Sequence, residues 1–205
     1  MKLFDYDGPL MRALVCLGDL ILLNVLFRLC CLPVVTAGAS AAALYTVSFR
    51  SLDGKGSHVC RQFFTAFGAN FNKATLQWLV MLAVAGLLYA DFCIITQTDF
   101  AGKTVVEVLF VVILSLYLPT LTFLFPLQAY YENTVAKTLM NAVALGIAKL
   151  PQSGLLIALY GLPVVFLSVN VALFFRLLPF WLIIGMAASA QLAARLLRRI
   201  FRKLS

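Results

Sequence analysis

Charge is what this chain has least of. Only 12% of its 205 residues are Asp, Glu, Lys or Arg, against about 25% in an ordinary globular domain, and 63% are hydrophobic against about 45–50%. At a mean hydropathy of +1.00 there is too little polar surface to cover a water-soluble body, so the bilayer must act as solvent. Histidine occurs once, as His58 in a polar connection without partner residues, and there is no HExxH, no GxSxG and no phosphate-binding glycine loop. The cysteines Cys16, Cys30, Cys31, Cys60 and Cys93 sit mostly inside apolar runs without metal-ligand spacing, as small buried hydrophobes do. The acids Asp91, Asp99 and Glu107 gather at the expected outer boundary, where an intramembrane protease would need its acids buried together. A non-enzymatic protein is expected, with no metal and no cofactor.

Long apolar runs are what the chain does have. Its length fits a single domain, 1–205, read as an all-α polytopic transmembrane helix bundle. Five spans are clear, at 10–32, 74–96, 104–127, 154–175 and 179–197, with Arg176 in a tight turn between the last two. A sixth apolar stretch, 36–51, rises only about 24 Å, short of the roughly 30 Å hydrocarbon core, so it is a short crossing or a re-entrant helix. Residues 1–12 read as an interfacial segment anchored by Phe4 and Tyr6. Cytoplasmic amphipathic helices are expected in the two polar connections. One carries Phe63, Phe64, Phe67 and Phe71 at helical spacing. The other carries an apolar stripe of Val135, Leu139, Val143, Ile147 and Leu150.

The stretch 32–45 joins the first span to the short helix. Pro33 cannot continue a helix, and the small residues Gly38 and Ser40, with Ala39 and Ala41, let helices approach closely, so this is the expected packing hinge. Ala37, Gly38 and Ala39 resemble a signal cleavage site. Asp5 and Asp7 balance Lys2 and Arg12, however, and the apolar run holds Asp19, Asn24 and Arg28, so cleavage is not expected. Charges at membrane depth face the bundle interior and take partners. Asn24 and Arg28, four apart, share a helix face, while Asp19 lies about half a turn out of phase with Arg28. The three are candidates for a substrate path, or for a structural hydrogen-bond cluster in which Arg28 caps the broken helix.

The net charge of +8 falls between and after the apolar segments. With six crossings, the inside carries Lys2, Arg12, Arg50, Lys55, Arg61, Lys73, Lys137, Lys149, Arg195, Arg198, Arg199, Arg202 and Lys203, and the outside only Lys103 and Arg176. The C-terminus is then cytoplasmic, and so is the N-terminus if 36–51 crosses; if it re-enters, the N-terminus lies outside. Arg195, Arg198, Arg199, Arg202 and Lys203 are expected to contact anionic lipid, and without an aromatic platform beside them no nucleic-acid partner is expected.

FDYDGPLMR at 4–12, LPVVTAGASAAALY at 32–45, RQFFTAFGANFNKATLQWL at 61–79 and YYENTVAKTLMNAVALGIAKLP at 130–151 together resemble the YesL family. These are bacterial integral membrane proteins grouped as a domain of unknown function. The resemblance implies a multi-pass protein of the bacterial cytoplasmic membrane, encoded beside carbohydrate ABC importers, and hence a role accessory to oligosaccharide uptake. It assigns no catalytic residues, and Arg28 lies outside its pattern. The coupling helix of ABC permeases opens on Glu-Ala-Ala and places Leu-Pro eighteen and nineteen residues after the Glu. Here Glu132 is followed at those offsets by Leu150 and Pro151, although Asn133, Thr134 and Thr138 replace the motif's small residues. Glu132, Lys137, Leu150 and Pro151 are therefore candidates for docking a permease or ATPase subunit. A stand-alone small-solute transporter and a membrane assembly or regulatory factor are the alternatives.

Overall fold

Prolines, glycines and one asparagine decide where an almost wholly apolar chain stops being helical. The computed structural model describes residues 9–54, 56, 58–98 and 102–203. Most of the interfacial stretch 1–12, together with Lys55 and Asp99, lies outside the described residues. Helix α1 (Pro9–Cys31) ends before Pro33, a 3₁₀ turn (Val34–Thr36) follows, and α2 (Ala37–Leu52) begins at once. Thr36 ties the break together, its hydroxyl donating to the carbonyls of Cys30 at 2.6 Å and Pro33 at 2.9 Å. A turn at Asp53 and Gly54 leads to α3 (Val59–Gln97), and Gly102, at φ +97, precedes α4 (Lys103–Tyr130). There follow α5 (Val135–Ala148), α6 (Leu150–Val169), α7 (Val171–Phe180), a π-helical turn (Trp181–Gly185) and α8 (Met186–Phe201).

Five segments are long and apolar enough to cross a membrane: Leu14–Cys31, Val59–Gln97, Lys103–Tyr130, Leu150–Val169 and Val171–Phe201. The sixth, α2, is 16 residues long and sits at the centre of the bundle against α1, α3, α4 and α8. Gly38, Ala39, Ser40, Ala42, Ala43, Leu44 and Tyr45 are all buried there. Lipid tails are as apolar as leucine, so helices in a bilayer gain little by hiding large side chains and gain contact by bringing backbones close. A Cβ on Gly38 would stand 2.5 Å from both the Ala74 carbonyl oxygen and the Trp78 Cβ, which makes Gly38 the point where α2 and α3 touch.

Three expectations change. The aromatic segment around Phe63 is no separate surface helix. It is the first half of a continuous 39-residue α3, with Phe63 buried and its ring 6.3 Å from that of Phe67. Packing against α2 keeps that half helical and inside. The last hairpin turns at Asn170, whose side chain accepts from the Leu173 amide at 3.0 Å and caps α7 as asparagine does well. Arg176 consequently lies within α7 and is exposed. The helix expected to float over the second connection, α5, instead lies against α4, burying Thr138, Ala142 and Gly146.

The contacts also fix how α1 and α2 run. Asn24 of α1 meets Leu182 and Ala187, while Arg28 meets Trp181, so α1 is antiparallel to α8. After the break, α2 returns to the end where α8 finishes. There Phe49 packs on Tyr130 with ring centroids 5.2 Å apart and Tyr130 on Phe201 at 5.1 Å, and Asp53 pairs with Arg198. The start of α1, the end of α2 and the end of α8 thus share one end of the bundle.

Candidate functional site

A π turn holds one residue more than an α turn, so its hydrogen-bond ladder is interrupted and some backbone groups lose their partners. In the turn over Trp181–Gly185 those groups are met by α1. Asn24 is 0% exposed; its Nδ2 donates to the Leu182 carbonyl at 2.6 Å and its Oδ1 accepts from the Ala187 amide at 3.2 Å. The carboxamide stands inside the ladder, joining the two groups that the extra residue has separated. One helical turn further on, Arg28 Nη2 donates to the Trp181 carbonyl at 2.9 Å. Gly185 is required beside them, because a Cβ there would lie 2.7 Å from the folded-back Trp181 indole. Of the three polar residues singled out in the first span, the fold brings Asn24 and Arg28 to one task and leaves Asp19 apart.

Arg28 also borders a cleft of about 520 Å³ between α6 and the α7–α8 rod, lined otherwise by apolar groups including Pro163, Phe166, Phe174, Leu177 and Trp181. A second apolar cleft of about 430 Å³ lies between Phe27, Tyr45, Trp78, Phe125 and Tyr160. Tyr45 and Tyr160 hydrogen-bond to each other through their hydroxyls at its wall.

Sequence reading missed a polar cluster at the end shared by α2 and α8. Gln77 Nε2 donates to Gln128 Oε1 at 2.9 Å, and Gln128 Nε2 donates to Asn70 Oδ1 at 3.1 Å. Both glutamines are buried within apolar runs, and that misfit was the available signal. Gln128 and Asn70 line a polar cleft of about 420 Å³ edged by Arg50, Lys73 and Glu132, with Gln77 behind them. Lys73 Nζ donates across it to the Asn133 carbonyl at 3.2 Å. Nearby, Tyr131 donates to the Phe201 carbonyl at 3.2 Å. Burial, and then the neighbouring Tyr130 phenol, raise its pKa above the ordinary value of 10.0, so it remains a donor at physiological pH.

The remaining candidates are placed as follows. Pro33 is exposed at the break, while Gly38 and Ser40 are buried in α2. Glu132, Lys137, Leu150 and Pro151 are all exposed, and Pro151 serves the start of α6, where proline is tolerated. Arg195, Arg199, Arg202 and Lys203 are exposed, and Arg199 and Lys203 share a cleft of about 300 Å³ with Lys149. Arg198 differs: it turns inward, with Nη1 donating to the Leu52 carbonyl at 2.8 Å and Nη2 paired with Asp53, and so caps the C-terminus of α2.

Together these features define a multi-pass membrane protein built on a central, small-residue helix. Residues 20–92 match the model of the family described as protein of unknown function, DUF624. That family includes the YesL-like proteins, so the match agrees with the resemblance read from the sequence. No curated protein and no solved structure matches the chain.

Proposed function

We propose that the protein is a non-enzymatic accessory component of a bacterial carbohydrate ABC importer, acting by binding the importer's permease or ATPase subunits. The observation that carries this reading is the outer face of α5. Thr138, Ala142 and Gly146 clamp the helix to α4, which turns Lys137, Met140 and Ile147 outward, with Met140 70% exposed. Glu132 just before the helix, and Leu150, at 58% exposure, and Pro151 just after it, are also exposed. A rigid helix with an exposed methionine and flanking charge suits a groove in a partner. The family resemblance supplies the importer as the partner. The positive-inside pattern orients this face, the start of α1 and the end of α8 toward the cytoplasm. Stand-alone transport is the weaker reading, because Asn24 and Arg28 spend their hydrogen bonds on the backbone of the π turn.

The test is co-reconstitution with the permease and ATPase of a carbohydrate importer. Wild-type protein is expected to bind them and alter ATP hydrolysis, and Met140→Lys or Lys137→Glu to abolish both effects. Solute flux in proteoliposomes holding this chain alone would overturn the reading.

A further inference from the structure

Among the described residues, the charge of Arg28 meets no counter-charge. The eight acidic residues are Asp5, Asp7, Asp19, Asp53, Asp91, Asp99, Glu107 and Glu132, so residues 133–205, which supply α6, α7 and α8, contain none. Asp19 stands about 13 Å down α1 from Arg28 and half a turn away, and Asp53 is taken by Arg198. Among the described residues no carboxylate pairs with Arg28; its one hydrogen bond goes to a neutral carbonyl, and its Nε is buried without an acceptor. An unpaired guanidinium in a span is costly unless it reaches an anion. The wall that Arg28 does reach is the 520 Å³ cleft, in which it is the only charged lining residue. One cation at the edge of an otherwise apolar slot fits a ligand with one anionic head and a hydrocarbon body.

We propose that this cleft binds an amphiphilic anion, its head group paired with Arg28 and its chain laid along Phe166, Phe174 and Leu177. The shared chemistry is a carboxylate or phosphate on an acyl chain, supplied by a free fatty acid or by an anionic phospholipid. Basic pockets between membrane helices hold lipid head groups in this way. The site is independent of the α5 face, so either proposal can fail alone.

Native mass spectrometry of the full chain in mild detergent tests it, with oleate, phosphatidylglycerol and neutral phosphatidylcholine as probes. At least one anion is expected to bind about tenfold more tightly than phosphatidylcholine, the scale of one charge-assisted hydrogen bond. Arg28→Gln should remove that preference and Arg28→Lys should keep part of it. Preference for oleate assigns a fatty acid, and preference for phosphatidylglycerol a membrane lipid. Leu177→Phe narrows the slot without touching the Arg28–Trp181 bond and should lower retention of the anion. Equal binding of all three probes, or wild-type binding by Leu177→Phe, overturns the proposal, and the second outcome remains decisive where Arg28→Gln does not fold.

Discussion

Asn24 joins the Leu182 carbonyl to the Ala187 amide, and its replacement separates polarity from shape. Asn24→Leu keeps the volume but strands the Leu182 carbonyl and the Ala187 amide. Interhelical hydrogen bonds in membranes are worth about 0.6 kcal/mol on average and about 1.7 at most, and two are lost, so a destabilisation of about 1–3 kcal/mol is expected. Thermal unfolding in detergent measures it. Asn24→Asp should be comparably harmful, because a carboxylate accepts from Ala187 but cannot donate to Leu182. The residue pair was legible in the sequence: polarity inside an apolar run and a spacing of four put Asn24 and Arg28 on one face. Their partners were not legible. Both bind main-chain carbonyls, which every residue carries, and an interrupted helical ladder leaves no periodic trace.

At the scale of helices, the sequence placed the spans well and misjudged which faces meet. The expected stripe on α5 was Val135, Leu139, Val143, Ile147 and Leu150, yet the buried line is Thr138, Ala142 and Gly146. Apolarity does not rank side chains by size, and size decides this contact: Thr138, Ala142 and Gly146 let the α5 backbone approach α4, while the bulkier side chains are left outside. The same rule made 32–45 readable, because its signal was small size and not hydrophobicity. A Cβ on Gly146 would approach Pro119 Cβ to 2.9 Å, so Gly146→Val should part α5 from α4. Gly38→Val should part α2 from α3. Each overpacks a tight contact and is expected to cost about 1–3 kcal/mol in unfolding experiments. Gly86→Ala, with nothing within 4 Å of its added Cβ, should be neutral or slightly stabilising as a helix substitution. Equal effects at all three positions would show that close approach is not what holds these helices.

For the whole molecule, the open question from the sequence was whether 36–51 crosses or re-enters, with the N-terminus placed inside or outside accordingly. The hairpin of α1 and α2 separates the two halves of that question. Because α2 returns to the Arg198 end, the start of α1 shares a side with the end of α8 whatever depth the hairpin reaches. Depth is set by the tip. Gly38 and Val34 meet Ala74 and Trp78, the middle of α3, which continues for about 28 Å to Gln97. The tip is also apolar and open, with Leu32, Val34 and Val35 all more than half exposed, and such a surface is stable in hydrocarbon and not in water. A tip held within the bilayer is therefore expected. In a cysteine-free background, Thr98→Cys should react with a membrane-impermeant maleimide added outside, and Arg202→Cys only after the cytoplasmic face is opened. Val35→Cys should react under neither condition but should label once the protein is denatured. External labelling of Val35→Cys would make α2 a full crossing, while labelling of Arg202→Cys from outside would invert the orientation that the positive charges impose. The break at Pro33 then acts as a corner within the bilayer, where Thr36 and Trp78 satisfy carbonyls that acyl chains could not bond.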